Sequence, residues 1–208
     1  QDDDYDEDEP QALTGRYTRT LYSDAQGFMQ VGASASLRDW NDNTYQVRRR
    51  AEVNTADKVV RSAAFLADQQ SILGLEGSWG HGGLMLQAEY MLTRVEDIDG
   101  TDWDYDGYYV TASYFLTGES HRLKKGEFRS VRPMNESGAW ELIARYSEID
   151  LRDHALGSVS SVSRLGVNYY YTHKTRLMFN VLYADVSGDT RHTETDGYAA
   201  SMRLQFLF

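Results

Sequence analysis

The chain has 208 residues, with 21 Lys and Arg against 32 Asp and Glu, a formal charge of -11 and a mean hydropathy of -0.59. That length allows one domain or one barrel, and that charge argues against a nucleic-acid partner. There is no cysteine, so no disulfide framework exists, and no apolar run approaches the ~20 residues of a membrane-spanning helix. The 15 Tyr, 17 Gly and 2 Pro suit a barrel with a wet interior and aromatic girdles. They suit a soluble all-β domain too, so composition leaves both open.

Residues 1–10 are an acidic run closed by Pro10, read as a solvated external loop segment. They carry no signal-peptide pattern, so either a leader has been removed or the true start lies upstream. A first strand is expected over about 11–22, with Leu13, Tyr17 and Leu21 opposite in parity to Arg16, Thr18 and Thr20. Residues 23–27 are rich in turn formers. The next strand, 28–40, sets Met29, Val31, Ala33, Ala35 and Leu37 against Gln30, Ser34, Ser36 and Arg38. Residues 41–68 break this rhythm and are read as a long loop, a length that is usually functional or disordered.

From there the period of two returns over 70–80, 84–95, 106–117, 138–149, 160–171, 175–186 and 196–208. In the last of these Tyr198, Ala200, Met202, Leu204, Phe206 and Phe208 share one face, and Ala199, Ser201, Arg203 and Gln205 the other. An apolar face ending in aromatics suits a strand that lies against lipid and turns its polar face to a watery lumen. The tally is about nine antiparallel strands, each near the ~10 residues that cross an outer membrane at a tilt. Short turns (23–27, 81–83, 172–175) alternate with polar loops (41–68, 96–105, 187–196), and the long connection 118–137 falls on the side expected to be short. Bacterial single-chain barrels are even-stranded, so this all-β, transmembrane antiparallel barrel is expected to be part of a larger one.

Several stretches carry a resemblance. Residues 107–120 (GYYVTASYFLTGES), Lys124-Lys-Gly126, Val131-Arg-Pro133 and residues 138–147 (GAWELIARYS) closely resemble the phosphate-selective porins O and P. Leu73-Gly-Leu-Glu76, Leu86-Gln-Ala-Glu-Tyr90 and the terminal Phe208, of the kind outer-membrane assembly machinery reads, are similar too. Family members are bacterial outer-membrane channels, trimeric and sixteen-stranded, about twice this length. The resemblance therefore implies their C-terminal half, with an N-terminal half expected as a second chain or as missing sequence. It also implies a homotrimer as the assembled form, in contact with outer-membrane lipid, with small anions as cargo.

The expected lumen face gathers Arg16, Arg38, Arg145, Arg164, Arg176 and Arg203 against Glu76, Glu89 and Glu141. Fixed guanidiniums in a low-dielectric pore concentrate anions and match phosphate oxygens as a fork. Alternatively, these arginines pair with the carboxylates and merely solvate the wall. In an extended segment Arg48 and Arg50 share a face. By resemblance they are rungs of an arginine ladder, with Arg61 a further candidate, while Lys124 and Lys125 resemble part of a periplasmic lysine cluster. The acidic stretch 96–106 could hold Ca²⁺, but it lacks EF-hand register, and a solvated loop is the simpler reading. No cofactor or metal motif and no nucleophile elbow is present, so no enzyme is expected. The reading is a passive channel for anions, phosphate or polyphosphate by resemblance. The alternatives are a general porin of low selectivity, or a structural or adhesive barrel with cation-binding acidic loops.

Overall fold

The computed structural model describes residues 11–52, 58–124, 126–188 and 195–207. The acidic segment 1–10, Lys125 and Phe208 therefore lie outside the described residues. The long strands are β1 (Gln11–Ser23), β2 (Gly27–Asp39), β6 (Phe65–His81), β7 (Leu84–Asp97), β8 (Asp102–Phe115), β11 (Ala139–Asp150), β12 (Val159–Tyr170), β13 (Thr175–Ser187) and β14 (Thr195–Phe206). Short two-residue pieces stand between them: β3 (Thr44–Tyr45), β4 (Arg48–Arg49), β5 (Val60–Arg61), β9 (Leu123–Lys124) and β10 (Glu127–Phe128). The long strands form an antiparallel meander in chain order, with β3 added beside β6. Among the described residues the sheet stays open, since β1 pairs only with β2 and β14 only with β13. No described helix is long and apolar enough to cross a membrane.

The period of two produces two unlike faces. On the outer face Leu73, Leu75, Leu86, Val110, Leu142, Leu165, Phe179 and Val181 all stand exposed. This aliphatic band runs between two aromatic rows. Trp79, Tyr114, Trp140, Tyr169 and Phe206 lie toward the end with short turns, and Tyr90, Tyr108, Tyr146, Tyr183 and Tyr198 toward the other. Six residues separate Tyr108 from Tyr114, about 20 Å of strand, in keeping with a lipid-facing band ~25 Å tall. Beyond the second row the outer face turns charged, with Arg94 paired to Asp104 at 2.8 Å.

The short turns close on local chemistry. Asp24 Oδ1 accepts from the backbone N–H of Gln26 and Gly27, and Thr172 Oγ1 from those of Lys174 and Thr175. Gly82, at φ 55°, makes the tight link between β6 and β7.

Two boundaries differ from expectation for a physical reason. The segment 102–106 is strand and not acidic loop, because Trp103 and Tyr105 turn inward and are buried while Asp102 and Asp104 point out to water. Likewise β6 starts at Phe65, inside the stretch expected as loop, because Leu66 and Phe65 pair with Thr44 and Tyr45 of β3. The loop it belongs to folds onto the inner face. Tyr45, Ala51 and Val60 pack there against Val95, Trp103, Tyr105, Val162, Ala184 and Val186. The connection 118–137, long where a short one was expected, also folds inward. Phe128 meets Phe28 edge-on at 5.6 Å, and Ser23 Oγ donates to Leu123 O at 3.0 Å.

Candidate functional site: the inner face

The inner face is the site, because that is where the sheet is polar and where both long connections come to rest. Arg16, Arg38, Arg145, Arg164, Arg176 and Arg203 share its parity. Arg16 grips Glu76, with Nη2 at 2.7 Å from both oxygens and Nε at 3.2 Å from Oε1. Arg38 lies over the Trp40 ring at 5.6 Å. Arg176 donates to Gln205 Oε1 at 3.0 Å and sits 5.9 Å from the Tyr170 ring centre. Arg203 is exposed near the edge of the sheet.

Arg145 and Arg164 are direct cross-strand partners. The carboxylate of Glu52, from the inward-folded loop, pairs with Arg164, lies 3.6 Å from Arg145 and accepts the Ser147 hydroxyl at 2.7 Å. Burial alone would raise the Glu52 carboxyl, yet the Ser147 hydroxyl and the two guanidiniums outweigh it and hold it below its ordinary value. Glu52, Ser147 and Tyr109, whose ring supports Arg145 at 3.9 Å, were not legible as site residues. Glu52 sits outside any periodic segment, 112 positions from Arg164.

The arginine run of the loop is arranged otherwise. The paired stretch is Arg48–Arg49, and it places Arg48 directly opposite Arg61, with Arg50 beyond the ladder. Ser158 anchors this hairpin, accepting from Arg61 N at 2.7 Å and donating its own N–H to Arg61 O at 2.9 Å. Arg61 Nε donates to Lys58 O at 3.3 Å. Neither Arg48 nor Arg61 has a carboxylate partner among the described residues.

At the short-turn end the connection 118–137 forms part of a cavity of about 420 Å³ with Arg122, Arg129, His173, Lys174 and Arg176 in its lining. Lys124 is exposed on the small β9–β10 hairpin opposite Glu127. In the lining of the same cavity the buried Glu141 accepts from Tyr170 Oη at 2.7 Å and Asn168 Nδ2 at 2.8 Å, so among the described residues it serves a local network and not an arginine. The His121 ring lies 3.5 Å from it, and burial holds that imidazole below its ordinary value despite the carboxylate. Glu119, on the same connection, accepts from Met134 N at 2.9 Å and from the Thr117 hydroxyl. No group of acidic and histidine side chains among the described residues is arranged to hold a metal ion.

Comparison with known proteins agrees with this architecture. The family model described as phosphate-selective porin O and P matches residues 1–208. Porin O of Pseudomonas aeruginosa is 28% identical over 241 residues, covering 99% of this chain and 55% of that protein. An uncharacterized protein of Caulobacter vibrioides is 28% identical over 162 residues, covering 73% of this chain and 32% of that protein. The chain thus spans about half the length of Porin O.

Proposed function

The chain belongs to the phosphate-selective porin O and P family, and from that premise we propose that it forms part of the wall of a passive diffusion channel for anions, with phosphate or polyphosphate as cargo. It is an outer-membrane porin chain and not an enzyme. The observation that carries the anion reading is the Arg48–Arg61 pair, two arginines in direct cross-strand register on the inward-folded loop, with no carboxylate partner among the described residues. Like charges directly opposite destabilise a ladder. A permeating anion between them would relieve that cost. The arginines then act by enrichment and hand-over, with binding weak enough for release.

In the assembled protein the open edges of β1 and β14 pair with further strands of the barrel, sixteen in all by resemblance to the family, supplied by an N-terminal half, and three such barrels form a trimer. A second reading has its own support. Arg16 is matched by Glu76, and Glu52 serves Arg145 and Arg164, which favours a general porin whose wall charges cancel.

The two separate in planar bilayers under a salt gradient. The reversal potential is expected to report anion preference, and to move toward zero in Arg48→Ala. Cation preference in the unaltered channel, or no conductance, overturns the anion reading.

A further inference from the structure

Arg145 and Arg164 face each other across the β11–β12 ladder, and two guanidiniums in that register repel unless something negative lies between them. In this structure that something is the Glu52 carboxylate. It reaches the pair from a loop residue whose backbone takes φ 54°, a left-handed conformation that glutamate seldom adopts. Around it stand Arg164, Arg145 at 3.6 Å and the Ser147 hydroxyl at 2.7 Å. Arg145 is braced from behind by the Tyr109 ring at 3.9 Å and by Thr111 Oγ1 at 3.4 Å. Glu52 nevertheless leaves the donors incompletely served, because Nε of both arginines is buried without a hydrogen-bond acceptor among the described residues.

We propose that Arg145, Arg164 and Ser147 form a binding site for a small oxyanion of phosphate or carboxylate type, with Glu52 as its built-in competitor. The site rests on the reading of the chain as an anion channel, and it is separate from the Arg48–Arg61 pair. A carboxylate offers two oxygens, whereas phosphate offers four, enough to reach both the guanidinium edges that Glu52 uses and the Nε groups it leaves. Each incoming anion must displace Glu52, and that exchange lowers net affinity while keeping the site's geometry. Conduction asks for this combination, binding good enough to admit an ion and poor enough to release it.

The test uses the native channel purified from outer membranes, with chloride current titrated by inorganic phosphate and, in a second arm, by acetate. Glu52→Gln should lower the half-inhibiting concentration about fivefold to tenfold. Adding Arg164→Ala to that variant should abolish the gain. The larger response marks phosphate or carboxylate as the preferred class, and a gain with either supports the site. An unchanged or raised half-inhibiting concentration for both anions in Glu52→Gln overturns it.

Calorimetric titration of the detergent-solubilised protein with phosphate repeats the comparison without conduction. A cation-selective reversal potential therefore sinks the channel reading, while equal phosphate affinity in wild type and Glu52→Gln sinks the site. If heat-modifiable electrophoretic mobility shows Glu52→Gln to be misfolded, Glu52→Asp replaces it. That change withdraws the same charge by one methylene and should bind phosphate more tightly than wild type; equal or weaker binding overturns the proposal.

Discussion

The Arg16 guanidinium on β1 reaches the Glu76 carboxylate on β6 across the full width of β2, and it can do so because residue 32 has no side chain. Gly32 is the direct partner of Glu76, and a Cβ built there collides with that carboxylate. The glycine is thus a matter of space and not of backbone conformation. Gly32→Ala should lower the melting temperature of the folded channel by roughly 2–4 °C. The loss should vanish in a Glu76→Ala background, where nothing remains to collide. Heat-modifiable mobility over a temperature series checks both, and an equal loss in the two backgrounds would rule out this account.

Arg48 and Arg61 make a different pairing, of like charges. If the two hold one anion between them, each removes most of the effect when it is lost. Arg48→Ala and Arg61→Ala should each reduce the anion-to-cation permeability ratio roughly threefold, and the double substitution should add little more. Reversal potentials for the four proteins of this cycle measure it directly. Multiplying effects would show two independent surface charges.

What was legible in the residues was whatever has a period of two. The alternation in Tyr198–Phe206 and in Leu84–Leu92 distinguished one face of the sheet from the other, and Arg16, Arg38, Arg145, Arg164, Arg176 and Arg203 share the inner face as their parity required. In Asp102–Asp106 the same alternation was present as acid against aromatic, but the acidity concealed the strand. Glu52 could not be found this way, since its partners lie on strands far away in sequence and its backbone is irregular. The open sheet agrees with an odd strand tally. The anion-path roles of Arg48, Arg50 and Arg61 come from resemblance and from no period of two, and the permeability cycle on Arg48 and Arg61 tests two of them.

The inward course of the connection 118–137 depends on Phe28, which is 1% exposed and meets Phe128 edge-on. Phe28→Ala removes that anchor and leaves a cavity, costing about 3 kcal/mol of local stability. Trypsin should then cut after Arg122 or Arg129 at least about tenfold faster, while the strands stay resistant. Timed digestion followed by mass spectrometry reads this, and an unchanged rate would place the anchor elsewhere.

His121 gives the same connection a pH dependence of defined sign. Its Nε2 lies 2.9 Å from Ser113 Oγ, and burial depresses its basicity more than the nearby Glu141 carboxylate raises it. Once the connection is released, the imidazole returns to its ordinary value of 6.5 and binds a proton more readily than when docked. Docking is therefore at full strength above pH 6.5 and weakens as the pH falls below it, until the docked imidazole also protonates. Hydrogen-exchange mass spectrometry from pH 8 to pH 5, corrected for intrinsic rates, should show protection of 118–124 falling toward acid. His121→Gln should flatten that dependence, because it removes the titrating group. Protection that rises toward acid would mean that Glu141 outweighs burial and that the pair is docked as imidazolium and carboxylate.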